Sequence, residues 1–532
     1  MTQSQIDTVG FRNKLRAQWK ALPFEQRAGI SIAVTVVFAI LLFFVDHALG
    51  YALLTLSALY WIHRLPPLPW KLGAQVALVL VFLIFEPRSL AVLLAIAFGV
   101  FWVPERLRVW TLPAVAVLAA IFYPFYEAKM FTIPVFGVWP DVATGVVMII
   151  FVMMAVGLNI VVGYAGLLDL GYVAFYATGA YTAAFFASQQ FAGQRCPTKG
   201  VSVENCTVAA VPKHNFDFGA VGLVPGGGGI HISGWILLLL AGVVTAFFGI
   251  VIGLPTLRLR GDYLAIVTLG FGEILPQIAR NGDNFFGTGV NLTNGPNGIT
   301  PLDSIGFGNN LSDWTGGLLP SNFLTCCKAN HFGHQVQSTD VFFWVAIVLL
   351  LFTVFCSLRL QYSRLGRAWI AIREDETAAA AMGIPLMRTK TWAYASGAFF
   401  GGVAGAYYAI FRSATFPGDF FFNISVFILC MVILGGMGNI WGVIVGAAFL
   451  AYLDREGLAN TGSWINTNIH LGHWHPNIEP PLYASGIYGV IILVVMLFRP
   501  EGLIPSRRRA AELHEGVHAE ALYDATHAGA EA

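Results

Sequence analysis

Asn159 and Asp169 interrupt a long apolar stretch, GLNIVVGYAGLLDLGYVAFYATGAYTAA, over residues 157–184. Gly157, Gly163, Gly166, Gly171 and Gly179 punctuate the same run. An amide and a carboxylate at membrane depth are tolerated where they face protein or a water-filled path, not lipid. Glycines there either allow close helix contact or break a helix so that backbone groups line a cavity. For any single glycine, tight packing is an equal reading. Taken together, the cluster points to a translocation path along Asn159, Gly163, Gly166, Asp169, Gly171 and Phe175. Glu273 adds a second carboxylate, in the otherwise apolar YLAIVTLGFGEILPQIAR. A carboxylate so placed is costly and normally has a partner, so it belongs either to the path or to an interhelical pair with Arg280. His470, His473 and His475 in HLGHWHP have a spacing that could offer imidazoles to zinc. No cysteine or carboxylate nearby completes that set, and no metal is expected. The chain carries no phosphate-loop pattern, no G-x-S-x-G, no H-E-x-x-H and no dinucleotide fingerprint. No catalytic residue is expected, and ATP hydrolysis is not expected from this chain alone.

Any elements that position these residues must do so in lipid. Of the 532 residues, 57% are hydrophobic and 11% charged, and the mean hydropathy is +0.69. Soluble domains carry about 25% charged residues. Apolar runs close to the ~20 residues that span hydrocarbon recur throughout. The expected fold is all-α, a polytopic integral membrane bundle. Runs near 29–46, 48–62, 73–85, 88–103 and 109–125 hold few clustered glycines and read as an accessory N-terminal domain, residues 1–135. Spans near 143–162, 165–188, 233–255, 263–280, 341–360, 389–411, 422–437, 440–453 and 484–499 form a core over 136–508. Residues 509–532, rich in Ala, Glu and His without apolar period, read as a disordered tail. Gly397, Gly401 and Gly405 recur every four residues, as do Gly442 with Gly446 and Gly249 with Gly253, a pattern that lets helix backbones approach.

The basic loops contain Arg258 and Arg260, Arg359 to Lys390, and Arg507 to Arg509, together with the basic N-terminus. The positive-inside rule places them, and both termini, in the cytoplasm. No cleavable signal peptide is evident, and the first apolar run reads as a signal anchor. The loops near 190–232, 300–340 and 455–483 then lie outside. Cys196 and Cys206 are expected to form a disulfide there, since they close a short loop in an oxidising space. Cys326 and Cys327 are adjacent, so a bond between them would be strained. Cys356 and Cys430 lie in apolar runs and read as small buried hydrophobes. The exception to the general texture is GRAWIAIREDETAAAAMGIPLMRTK, residues 366–390. It reads as one short exposed helix between two spans, stopped by Gly383 and Pro385.

At GLNIVVGYAGLLDLGYVAFYATGAY, LRGDYLAIVTLGFGEI, SRLGRAWIAIREDETAAAAMGI, ILGGMGNIWGVIVGA and LFRPEGLI the sequence resembles the M-type permease subunit of bacterial branched-chain amino-acid ABC importers. The resemblance runs in order from about 140 to 505. The extra N-terminal helices resemble an extension of many M-type subunits. In TNGPNGI, Asn294 stands where the family more often has a second glycine, and the long cysteine-bearing outer loops also depart from it.

The resemblance implies a complex in the bacterial inner membrane. An H-type second permease would complete the path, two ATP-binding subunits would hold ATP and magnesium, and a periplasmic substrate-binding protein would deliver substrate. This chain would hold no cofactor and contact lipid, and no nucleic-acid partner is expected. The resemblance also implies that residues 366–385 couple the chain to the ATPases. Glu376, Ala378, Ala379 and Gly383 match the pattern of that element, while Arg367, Arg373, Glu374 and Asp375 would pair with ATPase charges or headgroups. A sibling branch carries urea or short-chain amides, which stays open as a substrate class. Readings outside the family are an ion-coupled secondary transporter using Asp169 and Glu273, and a membrane enzyme using the histidine loop.

Overall fold

A computed structural model describes residues 35, 38, 47–64, 70–85, 88–127, 130, 137–191, 215–222, 228–258, 262–287, 290–316, 319–325, 330–331, 334–468 and 479–504. In chain order the helices are α1 (His47–Arg64), α2 (Trp70–Phe85), α3 (Arg88–Trp102), α4 (Glu105–Tyr126), α5 (Val142–Asn159) and α6 (Tyr172–Phe186). They continue as α7 (Gly234–Thr256), α8 (Asp262–Arg280), the short α9 (Asn309–Trp314), α10 (Ser338–Tyr362), α11 (Arg364–Glu374) and α12 (Glu376–Ala381). The last are α13 (Leu386–Arg412), α14 (Phe422–Gly435), α15 (Ile440–Tyr452), α16 (Leu458–Asn468) and α17 (Ala484–Phe498). Among the described residues, five helical runs are long and apolar enough to cross a membrane: Val142–Tyr164, Gly234–Thr256, Ser338–Tyr362, Pro417–Gly435 and Pro480–Phe498. The fold is a polytopic α-helical membrane bundle.

The chain divides into two compact units, residues 1–140 with 455–482, and residues 141–454 with 483–532. In the first, Phe82, Ala91 and Leu94 form a small core with Leu59, Leu78, Val79, Leu90 and Phe98 around it. The Trp102 indole donates to the buried Gln75 side chain at 2.7 Å, which satisfies both polar groups between α2 and α3. The outer segment 455–482, which sequence alone assigned to the core as a loop, belongs to this unit and contains α16. A Cβ at Gly137 would lie 3.3 Å from the Asn460 side chain.

In the second unit, α5 is the central post, buried along residues 150–159 and packed by α10, α13 and α15. Asp141 starts it by accepting from the Thr144 N–H at 2.8 Å, the usual remedy for a free helix N-terminus. α13 packs most closely against α6 and α7. Its glycines explain how: a Cβ at Gly405, in the four-residue stripe, would strike the Tyr176 carbonyl, and one at the adjacent-face Gly402 would strike Thr245 and the Ala241 carbonyl. Gly446 does the same for α15 against Gly435 of α14. The connections alternate the helices up and down, so Arg258, Arg359, Arg364, Arg367, Arg373, Arg388 and Arg499 gather at one end of the unit. At that end Leu503 donates to the Leu434 carbonyl and the Asn439 side chain to the Ile504 carbonyl.

The opposite end carries a small sheet that the apolar pattern did not announce. β1 (Ala187–Ser188) pairs antiparallel with β3 (Gly229–Ile232), and β2 (Asn215–Phe218) pairs parallel with β3. From β3 itself His231 Nδ1 meets Asp303 at 2.5 Å, and burial pushes the Asp303 carboxyl above its ordinary range.

Candidate functional site

Two neighbouring constructions hold the residues singled out from the sequence. The first is the junction between α5 and α6. α5 ends in a π turn, Ile160–Tyr164, and the chain runs irregularly to Gly171 before α6 begins. The expected continuous span over 165–188 is therefore shorter, and its first seven residues are non-helical. π turns inside helices are rare and concentrate at functional places. This one is framed by Asn159, whose Oδ1 accepts from the Gly438 N–H at 2.9 Å. Gly163 has no room for a side chain, because a Cβ would meet both Asn159 Oδ1 and the Gly438 nitrogen. Gly166 has φ +68°, a conformation that favours glycine.

Asp169 is almost fully buried and accepts from the Gly171 N–H at 2.9 Å. Its other oxygen finds no hydrogen-bond partner among the described residues, nor does the Asn159 amide nitrogen. Free N–H groups at and just before the start of α6 are met from other helices. Ser425 Oγ accepts from the Val173 N–H at 2.8 Å, and Thr268 Oγ1 accepts from the Leu170 N–H at 3.1 Å. Gly171 is pressed against the Thr268 carbonyl, so α8 crosses directly over the start of α6. Phe175 is buried edge-on between Tyr172 and Tyr394, at ring separations of 5.9 and 6.3 Å. In this conformation Asn159, Asp169 and Phe175 are each almost fully buried. They are the buried frame of a broken helix.

Glu273 lies apart from that frame. Near the middle of α8, it is exposed, and no described side chain pairs with it. The expected partner Arg280 is itself exposed and makes no bond to it. Tyr263, Ile266, Ile274, Gln277 and Ile278 share the exposed side, and a Cβ at Gly270 would meet nothing within 4 Å. Pro276 cannot donate to the Gly272 carbonyl, which leaves one more polar group on this helix. Elsewhere the outward faces are apolar: Leu239, Val243 and Phe247 on α7, Val348, Phe352 and Phe355 on α10, and Val490, Leu493 and Leu497 on α17.

The second construction is the segment 364–385, which forms two helices rather than the expected one. Asp375 breaks it, with an extended backbone and a carboxylate that accepts from the Thr377 and Ala378 N–H groups at 2.8 and 3.0 Å. The Thr377 hydroxyl bond, first, and these N–H bonds hold its pKa below the ordinary carboxylate range. Ser363 starts α11 by accepting from the Gly366 N–H. Trp369 is fully buried, and its indole donates to the Thr389 carbonyl at 2.7 Å.

The eight residues assigned to coupling divide by direction. Arg367, Glu374, Asp375, Ala378 and Gly383 are exposed, Gly383 with φ +84° and nothing within 4 Å of a Cβ. Ala379 is buried. Glu376 turns inward to an ion pair with the buried Lys390 at 2.7 Å. Arg373, expected to face a partner or lipid, instead donates from Nη1 to the Gly163 carbonyl at 2.5 Å. Sequence reasoning passed over Met382, which is 83% exposed at the tip of the segment. Its flexible apolar side chain beside the exposed Ala378, Ala380 and Ala381 is the signal that could have found it. Cys196 with Cys206, Cys326 with Cys327, the three loop histidines and the tail after 509 lie outside the described residues. Among the described residues no cluster of His, Cys, Asp or Glu could hold a metal ion.

Residues 142–496 match the family model described as branched-chain amino acid transport system / permease component. The chain is 34% identical over 382 residues to the high-affinity branched-chain amino acid transport system permease protein LivM of Salmonella typhimurium, covering 71% of this chain and 72% of that one. The Escherichia coli protein of the same description is 33% identical over the same coverage. A probable branched-chain amino acid transport permease protein LivM of Methanocaldococcus jannaschii is 26% identical over 51% of this chain and 69% of its own. No solved structure shows a significant match.

Proposed function

This chain belongs to the branched-chain amino-acid transport permease family, and from that membership we propose that it forms one half of a translocation path completed by a second, H-type permease. It is a multi-pass membrane protein and a permease subunit of a branched-chain amino-acid importer of the ABC type. The observation that carries the paired arrangement is the outward face of α8. A mid-helix carboxylate facing lipid would cost about 3 kcal/mol on insertion scales, and hydrocarbon offers it no partner. A second permease, or the watered cleft between two permeases, removes that cost. α8 is accordingly assigned to the path, with Glu273 as its polar contact. Asn159, Gly163, Gly166, Asp169, Gly171 and Phe175 shape the helix break behind it.

The exposed side of α11–α12 is assigned to the ATP-binding subunits, which would hold ATP and magnesium. The end rich in arginine is then cytoplasmic in a bacterial inner membrane. A periplasmic substrate-binding protein would approach the end that carries the β-sheet. Transport would follow alternating access, with closure of the ATPase pair rocking the permeases.

The test is uptake by the assembled complex in vesicles, with leucine, isoleucine, valine and urea as labelled substrates. ATP-dependent uptake of the three amino acids that resists a proton uncoupler supports the reading. Uptake without ATPase subunits that collapses with uncoupler would replace it with ion-coupled transport, and uptake of urea alone would move the chain to the sibling branch.

A further inference from the structure

The inward turn of Arg373 joins three backbones that are far apart in sequence. It stands in the last turn of α11, whose buried face carries Trp369 and Ile372 and is bonded to Thr389 of α13 by the Trp369 indole. Its guanidinium donates to the Gly163 carbonyl at 2.5 Å. That carbonyl lies in the last turn of the α5 π segment, where helix carbonyls lack an intrahelical donor and a cation is favoured. The space around the arginine is shaped by glycine. A Cβ at Gly166 would lie 2.7 Å from Arg373 Cγ, and one at Gly438 would lie 3.3 Å from Nη1 and 3.4 Å from the Gly163 oxygen. Gly438, with φ +87°, sits in the turn between α14 and α15 and donates to Asn159 at 2.9 Å. The end of α11, the π turn of α5 and the α14–α15 turn therefore meet around one guanidinium.

We propose that Arg373 is a positioning residue for transport: it ties the α11–α12 pair to the π turn of α5, so that a displacement of that pair moves the α5–α6 junction with it. The proposal rests on the assignment of α11–α12 to the ATP-binding subunits. A charged donor on a helix-terminal carbonyl is among the stronger single hydrogen bonds, and it is directional. The π turn supplies a place where the end of α5 can yield without dismantling the buried helix above it. Asn159 carries the same movement to α14 and α15 through Gly438.

The test uses the complete complex with Arg373→Gln and Arg373→Lys. Import, ATP hydrolysis, recovery of the ATP-binding subunits on purification, and hydrogen exchange over residues 160–167 are measured with and without nucleotide. Arg373→Gln is expected to keep the ATP-binding subunits at wild-type ratio and to lower import about tenfold or more, the scale of one lost charge-assisted hydrogen bond. The nucleotide-dependent change in exchange over 160–167, present in the wild type, is expected to vanish in Arg373→Gln. Arg373→Lys, still a donor but without the planar fork, should recover roughly a third of import.

A merely structural arginine would raise exchange over 160–167 equally with and without nucleotide and leave the difference intact, which overturns the proposal. Import by Arg373→Gln within about threefold of wild type, below the effect of losing such a bond, also overturns it. So do loss of the ATP-binding subunits from Arg373→Gln, a wild type with no nucleotide-dependent change, and Arg373→Lys importing no better than Arg373→Gln. If Arg373→Gln does not accumulate, Arg373→Lys is judged alone, and a full nucleotide response with wild-type import overturns the tie. Failure of the docking assignment has a separate signature: ATP-binding subunits that give no protection to residues 364–383 in the wild type.

Discussion

Asp169 is a buried carboxylate whose visible work is to hold one backbone N–H, that of Gly171, at the start of α6. Asp169→Asn keeps an acceptor at that position, so import should stay within about threefold and thermal stability should change little. Asp169→Ala leaves the N–H unpaired in a buried place, at a cost of about 1–3 kcal/mol. It should lower the unfolding temperature of the solubilised protein and reduce import in proportion to the protein lost. Equal import loss in Asn and Ala with unchanged stability would show instead that the charge itself is used. The polarity of Asn159 and Asp169 was legible in the sequence because amides and carboxylates are rare in such runs. What they bond to was not, since a one-dimensional pattern does not separate a group that faces a cavity from one that satisfies a distant N–H. Ser425 and Thr268 went unnoticed for a related reason: a lone hydroxyl in an apolar helix usually bonds its own backbone four residues back.

α11 and α12 show how a single residue divides an element. Apolar and helix-forming content over 366–385 predicts one helix, yet Asp375 offers its side chain to two N–H groups and starts a second. The signal was present in Asp-Glu-Thr-Ala, an N-cap residue followed by good helix formers, but it competes with simple continuation. Because the folded carboxylate is held below its ordinary range, the cap is retained at neutral pH and is lost only as pH falls through that lowered value. Circular dichroism of the solubilised protein should accordingly show no loss of helix from this break between pH 8 and about 5, well above the ordinary carboxylate range. Gly383 ends the element with φ +84°, so Gly383→Val imposes about 1–2 kcal/mol of backbone strain without touching a neighbour. Glu376→Lys sets a second cation beside the buried Lys390. Each should leave insertion and permease pairing intact while import falls and ATP hydrolysis loses its response to substrate. Full substrate-stimulated hydrolysis with normal import in either variant would remove α11–α12 from the coupling role.

At the scale of the molecule, hydropathy located most of the spans because hydrocarbon thickness dictates their length. It read 455–483 as a loop, where the absence of a long apolar run hid α16. The glycine spacing of α13 forecast close packing, and Gly405, against the Tyr176 carbonyl, shows a backbone that it brings close. The orientation of α8 was not legible, since nothing in its sequence tells which side is left uncovered. Glu273→Gln should retain much of import, whereas Glu273→Leu should lower it at least about tenfold, the equivalent of one buried polar contact; similar import by both variants would take Glu273 off the path. The uncovered carboxylate has a consequence before any transport begins. A newly inserted copy that has met no second permease leaves that carboxylate facing lipid, at a cost of about 3 kcal/mol. Pulse-chase labelling should give the solitary wild-type chain a shorter half-life than the same chain made with its companion. Glu273→Leu should lengthen the life of the solitary chain, so that one carboxylate would also set how many copies survive to pair.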